Sequence, residues 1–409
     1  LNSGKSIAVI GGGAAGFFAA IHAAQSNSHY RVVIFEKSNK VLAKVKISGG
    51  GRCNVTHNES SVKQLVENYP RGGNRLKKVF GRFSPADTVQ WFEKRGVPIK
   101  TESDGRMFPI SNQSQSIIDA LLNEANQRGV EVLLQKSISR IEPDQGKFIL
   151  WLKDERLVFD KVIIATGGSP TMRGFEWLDN LKLNIIPPLP SLFTFNVPRD
   201  NWADLSGISM PEAEVRIPEL KLRRKGPVLI THWGFSGPAA LALSSIAARD
   251  LFRLNYQFEV QINWTGIGEE EIRSELKKAI EEIGQKKVWS FPLFQIPSRL
   301  WRRILEVANV PEDRSYGELV KKEINRLIVK LSQSSFQVSG KTTFKEEFVT
   351  SGGIDLDEVQ IQSFESKKHP GLYCIGEVTN VDALTGGFNF QYAWASGYLS
   401  GLHAGSSEN

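Results

Sequence analysis

Apolar residues fall along the chain in short unbroken runs, in helical spacing and in alternation. Ile7, Ala8, Val9 and Ile10 form an unbroken run of the kind a strand buried on both faces needs. Residues 14–24 then carry small and apolar side chains at helical spacing, with no proline. Arg31–Phe35 is a second, β-branched run. The opening pattern therefore predicts strand, helix, strand. Helices are also expected over 61–69, over 85–95 with Ser84 as N-cap, and over 114–128 closed by Gly129. A hairpin-like turn is expected at Asp104–Gly105. Residues 130–134 and 137–141 read as a strand-like pair, 148–152 and 157–159 as a hairpin, and 161–168 as a buried strand ending Ala-Thr-Gly-Gly.

The pattern changes after residue 183, where Pro187, Pro188 and Pro190 mark a boundary. Short β-like runs follow at 192–197, 213–217, 228–230 and 258–264, with a helix expected at 239–249. Amphipathic helices are expected at 269–283, 297–308 and 316–331, and residues 336–338 and Thr343 read as a return to strand. Residues 372–375 form a last strand, followed by a helix from about Asn389 through Leu402. The expected fold class is α/β. A Rossmann-like domain is built from both chain ends (1–190 and 351–409), with an inserted β-rich domain (191–264 and 333–350) and a small helical subdomain (265–332).

Composition narrows the class. With 409 residues, 41% hydrophobic and 23% charged, the chain can bury a sizeable core and is not of disordered type. No apolar run approaches the ~18 residues that cross a bilayer, so no membrane association is expected. The first residues lack a leader pattern, and the cytoplasm is the expected location. Cys53 and Cys374 are the two cysteines and lie far apart, which argues against a C-x-x-C dithiol centre and a cysteine zinc site; no metal is expected. The net charge of +7 is read as ordinary surface charge, so a small molecule rather than a nucleic acid is the expected partner.

The chemistry sits at the junctions between these elements. Gly11, Gly13 and Gly16 fit G-x-G-x-x-G between the first strand and the first helix. In that pattern the first glycine makes the turn, the second lets backbone approach a pyrophosphate, and the third lets helix and strands pack closely. The N–H groups of Ala14 and Ala15 then face the phosphates. Glu36 follows Gly16 by 36 − 16 = 20 residues, where a carboxylate accepts from a ribose, and Lys37 follows it. A glutamate there favours FAD or NAD over NADP. A second glycine run, Ser48-Gly49-Gly50-Gly51-Arg52-Cys53-Asn54, reads as a loop laid along a cofactor, with Arg52 and Asn54 as donors.

GGGAAG followed by ISGGGRCNVTH closely resembles the BaiN/YhiN-like family of NAD(P)/FAD-dependent oxidoreductases. The later motifs extend the resemblance over most of the chain. It implies a FAD-binding Rossmann-like domain and places Ile138 against the adenine. It also implies that Thr166 and Gly167 end a strand beside the cofactor, and that Gly376 and Glu377 meet its diphosphate. The block Asp382, then Thr385-Gly-Gly-Phe-Asn-Phe, opens the last helix, and Gly387, Phe388, Asn389 and Phe390 would face the flavin. The family's usual acid and glycine around Asp382 are here Asn380 and Ala383. Thr-His-Trp-Gly-Phe-Ser-Gly-Pro at 231–238 matches another family motif, which makes His232 a candidate proton donor alongside His57.

The expectation is a FAD-dependent oxidoreductase that transfers hydride between flavin N5 and a small organic substrate or NAD(P)H. One full dinucleotide fingerprint leaves no dedicated NAD(P)H domain, so a nicotinamide donor would bind briefly at the flavin or in the β-rich domain. Relatives suggest an enone reductase or an amine-oxidising enzyme. Two alternatives stay open: a FAD-dependent RNA-associated or RNA-modifying protein, and a protein with structural FAD.

Overall fold

A computed structural model describes residues 5–406 apart from 28, 154, 199–201 and 343–348. Thr343, expected in a strand, and Phe348, which opens the sequence motif Phe-Val-Thr-Ser-Gly-Gly-Ile at 348–354 ahead of the last strand, lie outside the described residues. The chain divides into two compact units, residues 1–191 with 345–409 and residues 192–344.

The first unit is organised by β1 (Ser6–Ile10), α1 (Ala14–Ser26) and β2 (Arg31–Phe35). β1 lies mid-sheet, parallel to β2 on one side and to Lys161–Ile164 on the other. Ile7 to Ile10 are buried on both faces, which is why the run does not alternate. Glu131–Leu133 extends the sheet beyond β2, and Leu372–Cys374 extends it beyond Lys161–Ile164, both in parallel. Two short antiparallel strands, Glu365–Ser366 and Val359–Gln360, complete seven.

The C-terminal helix (Phe388–Gly405) packs along α1. Gly397, Gly401 and Gly405 recur every fourth residue and so share one face of that helix. A Cβ on Gly397 would sit 2.8 Å from the Ala15 carbonyl oxygen, and a Cβ on Gly401 or Gly405 would overlap that of Ala19 or Ala23. Glycine there sets how closely the two backbones approach. Phe18 of α1 fits between Trp91 and Trp394, with ring centroids at 4.7 and 5.3 Å. Burying such side chains contributes roughly 1.5–3 kcal/mol each. The helix Pro85–Glu93 starts with a reciprocal capping box between Ser84 and Asp87, the kind of cap whose loss costs about 1 kcal/mol.

Several local expectations change. Residues 130–134 and 137–141 do not pair: Glu131–Leu133 joins β2, while Arg140–Asp144 pairs with Lys147–Leu152. The first of these segments finds its partner 131 − 35 = 96 residues earlier, past several helices, which alternation cannot reveal. The glycine run read as a loop at 48–54 is entered from a coil: Ala43–Gly51 turns as a helix that breaks at Ser48, Gly49 and Gly50. The expected helix at 239–249 divides into Pro238–Ile246 and Ala248–Arg253. The one at 316–331 divides into a turn at Tyr316–Glu318 and the helix Lys321–Ser332. Ser315 caps that turn through Glu318, with Oγ to Oε2 at 2.6 Å.

In the second unit, Thr194–Asn196 pairs with Gly234–Ser236 and Gly340–Thr342. A four-stranded antiparallel sheet runs Leu222–Lys225, Glu214–Ile217, Phe258–Asn263, Ser334–Val338. The helices Glu269–Ile283, Ser298–Val307 and Lys321–Ser332 share a hydrophobic core with these strands, around Trp264, Trp301 and Tyr316. Both buried indoles are satisfied, Trp264 Nε1 by Ser334 Oγ at 3.0 Å and Trp301 Nε1 by the Val288 carbonyl at 2.7 Å.

Candidate cofactor site

The turn between β1 and α1 is held from several sides. Gly11 N donates to the Phe35 carbonyl at 2.8 Å, and Leu42 N donates to the Gly12 carbonyl at 2.8 Å. A Cβ on Gly16 would overlap the Gly11 carbonyl oxygen, so only glycine lets α1 start this close to the strand. Gly13 is the N-cap of α1, with no side-chain cap on the first N–H groups. No heavy atom lies within 4 Å of where a Gly13 Cβ would be. The helix thus opens, uncapped, onto free space. Its N–H groups and dipole favour an anion there.

Glu36 faces the same turn. Its carboxylate accepts from Gly12 N at 2.9 Å and Ser38 N at 2.8 Å. A carboxylate has about four acceptor positions, so two remain for a ligand hydroxyl. Lys37 is exposed. Residues 135–136 run beside this corner, with Lys136 N donating to the Glu36 carbonyl at 2.9 Å and Gln135 N to that of Ser38 at 3.0 Å. Ile138 follows them and is buried.

Other motifs of the first unit meet here. A Cβ on Gly11 would lie 3.0 Å from Thr166 Cα, and one on Gly376 would lie 2.9 Å from Ala15 Cβ. Glu377 forms an ion pair with Lys44 at 2.7 Å and accepts from Thr350 N at 3.1 Å. Gly167 and Gly168 lie against the Glu377 carboxylate, and a Cβ on Gly168 would lie 2.5 Å from the Thr350 hydroxyl. That hydroxyl is buried with no hydrogen-bond partner. Thr350 and Lys44 escaped the sequence reading. Thr350 sits in the recognised 348–354 motif, but nothing in its spacing marks the side chain.

The second glycine run closes on the start of the C-terminal helix. Gly50 and Gly51 have open space where a Cβ would be. The Ser48 hydroxyl donates to the Val45 carbonyl at 2.9 Å, and Gly49 packs on Phe108. Arg52 is anchored by Glu102 at 2.6 Å, with its guanidinium 4.0 Å from the Phe108 ring centre. In the amide orientation that satisfies both ends, Asn54 accepts from Gly387 N at 2.9 Å and donates to the Thr56 carbonyl at 2.9 Å. His57 Nδ1 is 3.1 Å from the Gly386 carbonyl, and its ring stacks on Phe388 at 4.6 Å. A carbonyl only accepts, so Nδ1 carries the proton here.

The remaining expected residues already have protein partners. Asn389 bridges the Ala383 backbone, its Oδ1 accepting from Ala383 N at 3.0 Å and its Nδ2 donating to the Ala383 carbonyl at 3.2 Å. Both bonds use main chain, so the alanine in place of the family's glycine keeps them. Asp382 is fully buried against Arg71, with Ser191 also donating to it. Phe390 stacks on Trp394 at 5.7 Å. The buried side-chain amide oxygen of Gln391, Oε1, accepts from the Thr56 hydroxyl at 2.7 Å and the Thr88 hydroxyl at 2.8 Å. Burial pushes the Cys53 thiol up to about 12, so it is a neutral packing group within the glycine run.

His232 lies in the second unit, exposed at the turn between Val228–Ile230 and Gly234–Ser236. Thr231 closes that turn, its N donating to the Gly234 carbonyl at 2.7 Å. Among the described residues, no group of His, Cys, Asp and Glu is arranged to hold a metal, and no helix is long and apolar enough to cross a membrane.

Comparison with known proteins gives a consistent picture. The family model described as HI0933-like protein Rossmann domain matches residues 5–403. The chain is 29% identical over 402 residues to a ribosomal RNA dihydrouridine synthase of Escherichia coli, covering 95% of each chain. It is 26% identical over 410 residues to a 3-dehydro-bile acid delta(4,6)-reductase of Clostridium scindens, covering 97% of this chain and 98% of that one. Among solved structures it is similar to a 3-ketosteroid-delta4-(5alpha)-dehydrogenase of Rhodococcus jostii RHA1, with a TM-score of 0.54, 12% identity, and 98% and 97% of the two chains covered. At that identity the likeness concerns the fold.

Proposed function

The chain belongs to the HI0933-like Rossmann-domain family, and from that premise we propose that it reduces a carbon–carbon double bond conjugated to a carbonyl, drawing electrons from NAD(P)H. It is a FAD-dependent oxidoreductase of α/β fold with a Rossmann-like FAD-binding domain. The two relatives carry names of different substrates, yet both names describe saturation of such a bond. In a uridine the C5=C6 bond is conjugated to the C4 carbonyl, and in a 3-keto steroid the Δ4 bond is conjugated to the ketone. The observation that carries the reading is the open, uncapped start of α1 at Gly13 with the Glu36 carboxylate facing the same turn.

The residues fit the cofactor. Gly13, Gly50 and Gly51 leave space at backbone level, and Thr350 offers a buried hydroxyl without a partner. Gly11, Gly13, Ala14, Ala15 and Gly16 would hold the pyrophosphate, Glu36 the ribose, and Lys37 and Ile138 the adenine end. Thr166, Gly167, Gly376 and Glu377 would line the diphosphate. Residues 48–52 with Asn54, and 387–390, would border the ring. Asp382 would act by fixing the loop before the last helix. Bound FAD supplies a two-electron carrier able to take up and deliver hydride.

In the net reaction NAD(P)H loses a hydride, the substrate's β carbon gains one, and its α carbon takes a proton from a protein group or water. His57 is the candidate for that proton. With Nδ1–H held by Gly386, neutral His57 has only an acceptor at Nε2, so it donates there only as imidazolium. His232 would serve a substrate reaching the second unit. The division into 1–190 with 351–409, 191–264 with 333–350, and 265–332 is carried into this reading as its domain scheme. Between the two substrates, the higher identity of the dihydrouridine synthase relative favours uridine in RNA, against the expectation of a small-molecule partner from charge alone.

The test is a product assay without oxygen. FAD-loaded protein and NADPH are given either a ribosomal RNA transcript or a 3-keto-Δ4 steroid, and the product is weighed by mass spectrometry. The reading expects a gain of one hydrogen molecule in at least one substrate, with the transcript favoured. NADPH oxidation with neither substrate reduced would refute it.

A further inference from the structure

We infer that the segment 68–82 is a docking surface for the phosphate backbone of a structured RNA; this rests on the reading that uridine in RNA is the substrate. The segment runs from Asn68 to Arg82 with no acidic residue, and none follows before Asp87. It carries five basic residues: Arg71, Arg75, Lys77, Lys78 and Arg82. Two of them have structural partners, Arg71 in its buried pair with Asp382 and Arg75 with Asp357 at 2.8 Å. Lys77, Lys78 and Arg82 are exposed, and no ion pair joins any of them to an acid among the described residues. Lys78 and Arg82 stand four residues apart, where like charges on a helical turn repel. Three uncompensated cations on one short helix and its exit are a cost that a polyanion would relieve.

The same segment braces the loop that opens the C-terminal helix. Leu384 N donates to the Asn68 carbonyl at 2.9 Å, and Tyr69 OH donates to the Phe388 carbonyl at 2.7 Å. Arg71 is bridged to Asp382, and the Tyr69 and Phe80 rings meet at 5.1 Å. A strand of RNA held on Lys77–Phe80 is therefore held beside residues 382–388, in the unit that carries the cofactor site. Phosphate contacts of this kind position a substrate without reading its sequence. A second basic stretch, Arg223 and Arg224 on Leu222–Lys225, lies on an edge strand, where charge serves to prevent edge pairing. It makes a fair control.

The experiment measures binding of a fluorescent ribosomal RNA transcript to the FAD-loaded protein between about 50 and 200 mM salt. The triple variant Lys77→Gln, Lys78→Gln, Arg82→Gln is compared with wild type and with the double variant Arg223→Gln, Arg224→Gln. Each neutralised phosphate contact removes about 0.7–0.9 from the slope of log K against log salt, so the triple variant should be shallower by roughly two to three. The control should keep the wild-type slope, and all three proteins should keep the same flavin spectrum and melting temperature. A triple variant with the wild-type slope overturns the surface and leaves the RNA reading standing. A wild type that binds no transcript, or binds phosphatidylserine vesicles instead, overturns both.

Discussion

Two sets of glycines in the first unit do opposite work. At Gly13, Gly50 and Gly51 the missing Cβ leaves open space. At Gly397, Gly401 and Gly405 the missing Cβ is filled by the backbone of α1. The first set leaves the backbone surface bare, and the second brings two helices into contact. A glycine count cannot separate these roles. What stands where the Cβ would be does so. A side chain added at a closed site should act on folding. One added at Gly13, open and with negative φ, should act on binding, whereas Gly50 and Gly51 have positive φ and would strain any side chain.

The largest expected effect is at the closed set. In Gly401→Val the new Cβ would overlap the Ala19 carbonyl and crowd His22 Cβ at 2.9 Å. Helix–helix packing must yield, and a loss of more than about 3 kcal/mol is expected in denaturant melts of FAD-free protein. A smaller loss would mean that the two helices separate easily.

Nearly as large is a pH effect on the same interface. His22 lies on α1, its Nδ1 2.7 Å from the Phe18 carbonyl and its ring 4.9 Å from Tyr398. Burial pushes it down to about 4 from an ordinary 6.5, Arg95 and Arg128 adding to the shift and the Phe18 carbonyl and Glu124 opposing it. Between those values the unfolded chain binds the extra proton, so this stability is complete above about 6.5 and is lost as pH falls through about 4. The loss by pH 4 is about 3 kcal/mol. Urea midpoints from pH 7.5 down to about 4 should carry this slope in wild type, and His22→Leu should remove that share of it.

A smaller effect probes the open side. Thr350→Val removes a buried hydroxyl that has no partner, at nearly constant shape. FAD-free protein should be unchanged or gain about 1 kcal/mol, and FAD should bind the variant more weakly. Equal FAD affinity in both proteins would detach Thr350 from the cofactor site.

Much of this arrangement could be read before the fold was known. The run Ile7–Ile10, the glycines after it and Glu36 lie within one short βαβ stretch, where local rules act. Ser84 with Asp87 is also local, as is the hairpin at Asp104–Gly105. What escaped was long-range. Arg71 and Asp382 are 382 − 71 = 311 residues apart, and only folding makes them a buried pair. Glu131–Leu133 looked like half of a hairpin because its true neighbour, β2, ends 131 − 35 = 96 residues earlier, past several helices. The repeat at Gly397, Gly401 and Gly405 also escaped, because its partner, the Ala15–Ala23 face of α1, lies at the other end of the chain.

The smallest effect on folding comes from Gly13→Val, and it gives the most direct test. Gly13 has φ −92° and ψ −172°, which valine adopts without strain, and nothing occupies the space its side chain would enter. FAD-free stability should fall by no more than about 1 kcal/mol, the cost of valine in place of glycine at the N-cap. The decisive measurement is a calorimetric titration of the FAD-free variant with FAD. The open turn at Gly13 predicts an affinity lower by about 100-fold or more, equivalent to ~2.7 kcal/mol. Wild-type affinity in a variant that folds normally would mean that the pyrophosphate does not lie on this turn, and the account of the site would fail.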